Sequence, residues 1–139
     1  MTAKRLAELL RDPDEHLRAC AIQLLCENKR PSESVRSELA RLGKADKSPL
    51  VRLYLASAMQ RFPLPQRVPV LAALLAHAED AADPSLPLMY WYATEPVVAA
   101  DPEIGVRLLA NCKIPKVRQF ITRRMASGRE ESKKNNLRR

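Results

Sequence analysis

The side chains able to do chemistry are few and scattered. Glu95 stands in an apolar run, MYWYATEPVVAA, over residues 89–100. A carboxylate buried in such surroundings needs a partner, because an unpaired buried charge is costly. Arg118, Arg123 and Arg124 are the candidate partners. Two readings are open: an acid or anion-gating pair in a groove, or an ion pair joining neighbouring repeats. The second has more support, since acid–base chemistry needs another catalytic group beside the first and none accompanies Glu95.

Next to Glu95 stand Tyr90, Trp91 and Tyr92. Three consecutive aromatics point in three directions on a helix, so at least one is exposed or faces a groove. They form a candidate partner-binding patch with Glu95, Arg118, Arg123 and Arg124. The competing and preferred reading is ordinary core packing with one exposed edge. His16 and His77 are far apart and have no second ligand at metal spacing, so no metal site is expected. Cys20, Cys26 and Cys112 form no C-x-x-C pair. Their odd number argues against a disulfide framework. No haem-attachment or other cofactor motif is present, so neither a cofactor nor catalytic activity is expected.

The net charge is +8, of which the segment 129–139 carries a surplus of three. A positive balance attracts nucleic acid or an acidic protein face, but a solvated basic surface accounts for it as well. No signal-peptide pattern opens the chain, and the longest uncharged apolar run, around 68–78, is too short to span a bilayer. Membrane insertion is therefore not expected, and localisation is left open.

The elements that hold these side chains follow from a repeat. A turn with Asp or Pro, an apolar residue, Arg and a long apolar helix recur in DPDEHLRACAIQLL, DKSPLVRLYLASAM, DPSLPLMYWYAT and IPKVRQFITRRM. Aligned on Leu17, Val51, Leu86 and Val117, the copies step by 34, 35 and 31 residues. Four positions on stand Ala21, Leu55, Tyr90 and Ile121, and eight on stand Leu25, Met59, Thr94 and Met125. That is one apolar helical face. Four more apolar stripes predict helices at about 2–11, 32–43, 64–79 and 102–112.

Prolines cluster at the predicted helix starts, where a missing N–H costs nothing. Ser32, Ser48, Asp83 and Asp101 are candidate N-caps. Pro69 and Pro87 are placed in first turns, and Pro96 is expected to kink or end its helix near Glu95. Gly128 is a candidate C-cap, followed by a basic, disordered tail over 129–139. The reading is all-α: eight helices in about four antiparallel hairpins stacked into one right-handed α-solenoid, an α-α superhelix, over 1–128.

Over residues 2–126 this pattern resembles HEAT repeats. The most specific element is Asp followed six residues later by Arg, at Asp12–Arg18 and Asp46–Arg52. The resemblance implies a hydrogen-bonded ladder between neighbouring turns. Pro87 replaces the third Arg and Cys112 the fourth Asp, so the ladder is expected to break at the third repeat. The stretch 83–124 is also similar to the helical repeats of large dehydrogenase-like proteins of Planctomycetes and Verrucomicrobia. Those carry a β-propeller ahead of the repeats and a c-type cytochrome domain after them. That likeness implies a scaffolding or docking element contacting a protein partner or flanking domains, periplasmic if within such a parent. A nucleic-acid-binding surface, as in HEAT-like DNA glycosylases, is the alternative and is not favoured.

Overall fold

A computed structural model describes residues 2–27 and 30–138. It contains eight α-helices and no strand among those residues. They are α1 (Ala3–Leu9), α2 (Glu15–Cys26), α3 (Glu33–Ala45) and α4 (Pro49–Met59), then α5 (Leu64–Leu75), α6 (Leu86–Ala100), α7 (Pro102–Asn111) and α8 (Pro115–Leu137). A short 3-10 helix, Ala78–Ala82, joins α5 to α6. The helices pair as hairpins: α1 with α2, α3 with α4, α5 with α6, α7 with α8. The second helices stack in order, α2 on α4 on α6 on α8, and α3, α5 and α7 form the layer behind them. This is an α-solenoid, with each hairpin touching its neighbours.

The starts of the helices follow from local chemistry. Ser32 and Ser48 each accept the N–H three residues on, from Val35 and Val51. Asp101 accepts from both Glu103 and Ile104. Asp83 lies two residues ahead of the α6 cap position yet takes the N–H groups of Ser85 and Leu86. Each satisfies donors that the first turn would leave orphaned.

Burial follows the repeat. Ala21, Leu55, Tyr90 and Ile121 are all fully inaccessible. The alignment position four earlier is buried at Val51, Leu86 and Val117, but Leu17 is 42% exposed. Helices α4, α6 and α8 each pack on the second helix of the preceding hairpin, and α2 has no such neighbour.

The structure corrects several expectations. Pro69 lies in the second turn of α5, not the first. Helix α5 ends at Leu75 rather than near 79, and the Leu75 carbonyl accepts the N–H of Lys113 from the α7–α8 turn. Pro96 does not end its helix, because α6 continues to Ala100. Gly128 is no C-cap: α8 runs through it to Leu137, so the segment expected as a disordered tail is helical and exposed as far as it is described. Arg139 lies outside the described residues.

Candidate interaction surfaces and the arginine ladder

The ladder runs from each repeat into the next. Arg18 holds the Asp46 carboxylate through Nε (2.8 Å) and Nη2 (3.1 Å), while its Nη1 donates to the backbone carbonyl of Asp12. Arg52 repeats the arrangement one hairpin on. Its Nε and Nη2 hold Asp80 at 2.8 and 2.6 Å, and its Nη1 donates to the carbonyl of Asp46. The forked geometry of guanidinium and carboxylate gives two parallel charge-assisted bonds. The Arg52–Asp80 pair is inside the protein, with side chains only 2% and 3% exposed.

Asp80 was not among the residues singled out from sequence. It lies 28 residues after Arg52, as Asp46 lies 28 after Arg18, and that equal spacing was the available signal. The third repeat, lacking its Arg at Pro87, fills the rung differently. Tyr90 donates its hydroxyl to Asp80 Oδ2 at 2.6 Å. Burial first, and the bond to Asp80 second, push the Tyr90 hydroxyl well above its usual range, so it stays a donor. No bidentate arginine–carboxylate rung joins the third and fourth repeats among the described residues. Arg118 in the fourth repeat donates through Nη1 to Cys112 O and Leu109 O instead.

A second buried guanidinium also escaped sequence reasoning. Arg67 donates to Phe62 O, Ala93 O and Gln60 O. Two of these carbonyls lie at the C-terminus of α4, the negative end of its dipole, where a cation is favoured. Burial nonetheless pulls the Arg67 guanidinium below its ordinary value.

The aromatic trio separates as its spacing requires. Tyr90 is fully buried and committed to Asp80, so it has no surface to offer a partner. Trp91 is half-buried against Phe120 of α8, ring centroids 5.4 Å apart. Tyr92 is 50% exposed. Glu95 is not buried either: it accepts from Arg124 Nε at 3.1 Å in a partly exposed pair joining α6 to α8. Arg123 is exposed and makes no salt bridge among the described residues, and Arg118 does not contact Glu95.

A family model described as HEAT repeats matches residues 2–83. The chain belongs to the HEAT-repeat family. No curated protein and no solved structure matches it. The match covers the two hairpins that carry both Asp-to-Arg copies and ends just past Asp80, the last acceptor of the ladder. HEAT repeats generally mediate protein interaction or scaffolding, and the fold is typically non-enzymatic.

No group of three His, Cys, Asp or Glu residues is placed to hold a metal ion among the described residues. His77 is half-buried, with one ring nitrogen 2.6 Å from Gly43 O and the other 2.7 Å from Glu79, so it ties two hairpins together. No described helix is long and apolar enough to cross a membrane. On the second-helix layer, Leu88 (37% exposed) and Tyr92 lie one turn apart on one side of α6. The same repeat positions on α8 are Gln119 and Arg123, both exposed.

Proposed function

We propose that this chain is a non-catalytic interaction module that binds a protein partner along the side of α6 and α8. The carrying observation is the pairing of exposed Leu88 and Tyr92 with exposed Arg123 on adjacent second helices. Large apolar groups exposed together mark contact surfaces, and an aromatic next to an arginine is a frequent anchor pair. Trp91 contacts Phe120 between the same two helices. Glu95 and Arg124 fix the two helices relative to each other, and Arg118 ties the start of α8 to the preceding turn. The similarity of 83–124 to the repeats of dehydrogenase-like proteins supports a partner that is a flanking or associated domain of such an assembly.

A photo-crosslinking amino acid at position 92, compared with one at exposed Ser37 on the other helix layer, tests the reading in cells. The expected result is one protein crosslinked from position 92, lost on Arg123→Glu. Equal crosslinking from both positions, or none, would overturn it. The nucleic-acid alternative has less support. Among Arg18, Arg52, Arg118, Arg123 and Arg124, the first two are committed to carboxylates and Arg124 to Glu95, which leaves Arg123 and the Nε and Nη2 groups of Arg118 for phosphate. Duplex DNA titrated over a salt series should show no steep salt-dependent binding.

A further inference from the structure

The two ends of the stack are complementary halves of the junction that joins its own repeats. At the first end, Leu17 (42% exposed), Cys20 and Leu24 (40% exposed) form an apolar strip on α2. In the next repeat the same positions are Val51, Tyr54 and Ala58, all buried or half-buried, on a helix that packs on α2. At the last end, Thr122 and Ala126 on α8 are exposed, although their counterparts Ile22 and Cys26 on α2 are buried. In the internal repeats the first of these positions is buried at Ala56 and half-buried at Trp91, while the second is exposed at Gln60 and half-buried at Glu95. The first leaves its backward face open and the last its forward face.

The ladder repeats this asymmetry in charge. Arg18, Arg52 and Arg118 are each anchored by Nη1 to the carbonyl six residues earlier, on Asp12, Asp46 and Cys112. In the first two, Nε and Nη2 hold the carboxylate of the next repeat. In Arg118 those two nitrogens have no acceptor among the described residues. At the opposite end, Asp12 accepts the N–H of Asp14 through Oδ1, as Asp46 accepts that of Ser48. Asp46 also takes Arg18, whereas Asp12 pairs with no basic side chain among the described residues.

We propose that copies of this chain stack head to tail, Arg118 of one copy entering the open rung at Asp12 of the next. Leu17 and Leu24 then pack over Thr122 and Ala126, whose small side chains leave room for them. The contact joins two different faces, so it propagates rather than closing on itself. It uses the ends of the stack and leaves the side face of α6 and α8 free.

Sedimentation velocity of the 139-residue chain over a wide concentration range tests this. The average mass should rise progressively beyond two copies. Leu17→Glu and Arg118→Glu, each blocking one end, should sediment as monomers alone and form a 1:1 complex when mixed. Leu24→Glu is a second block of the first end, and circular dichroism confirms that each variant is folded. A wild type that stays monomeric at millimolar concentration, assembly that stops at a dimer, or two variants that do not combine would each overturn the proposal.

Discussion

Arg52 and Asp80 form an ion pair closed to solvent, 28 residues apart in sequence and 2.6 Å apart in space. A buried pair of this kind gains little over well-packed apolar residues, but breaking it on one side strands a charge. Arg52→Ala should therefore cost roughly 3–5 kcal/mol. Removing Asp80 as well should recover part of that loss. Urea denaturation of the two single variants and the double variant measures the coupling, which vanishes if the pair is incidental.

The pair Glu95–Arg124 should behave otherwise. Its side chains remain about a third exposed, so solvent screens it. Glu95→Gln should change stability by under about 1 kcal/mol. A loss of several kcal/mol in the same denaturation experiment would mean that the carboxylate is far less solvated than its exposure indicates.

Much of the architecture could be read from the sequence because it repeats. The step between copies and the Asp-to-Arg spacing gave four hairpins and the origin of the ladder. Where local rules met tertiary packing, they were outweighed. Pro96 forfeits one helical hydrogen bond, yet Val97 and Val98 just beyond it are buried, and α6 continues through the proline to bury them. Tyr90 could not be separated from Tyr92 by residue type. Only the phase of the helix sends one to Asp80 and the other into solvent. Arg67 was illegible for another reason, since its partners are backbone carbonyls that carry no sequence signature.

Thr94 gives a prediction of opposite sign. It is fully buried, and its hydroxyl has no hydrogen-bond partner among the described residues. An unsatisfied buried hydroxyl opposes folding. Thr94→Val keeps the shape and should leave the melting temperature unchanged or raise it. A clear drop would reveal a bond to that oxygen.

The thiols should react unequally. Cys20 is exposed, whereas Cys26 and Cys112 are buried. Burial pushes the Cys26 thiol up to about 11, and burial raises that of Cys112 as well. Thiolate is the reactive form, so a thiol reagent at neutral pH and low protein concentration should label one site quickly. The other two should follow only in denaturant, and mass spectrometry of the digested protein identifies which has reacted.

Glu38 links the first two hairpins and gives the pH dependence. Hydrogen bonds from Arg11 foremost, and from Arg41, hold its carboxyl below the usual range. A carboxyl lowered in the folded state stabilises above its unfolded value, and that contribution is lost as pH falls through the folded value. The melting-temperature gap between wild type and Glu38→Gln should be present at neutral pH and close in acid. A gap that widened in acid would contradict this sign.

The uneven ladder gives the stack a mechanical grain. Bidentate rungs join the first hairpin to the second and the second to the third, but none joins the third to the fourth. That last junction is held by apolar packing, the tilted contact of Trp91 with Phe120, one partly exposed ion pair, and the bonds of the Lys113 N–H and the Asn111 amide to the α5 carbonyls of Leu75 and Ala72. Under tension along its axis the stack should therefore behave as a spring with one soft coil and extend first between α6 and α8, where its single tryptophan would report the opening as a change in emission.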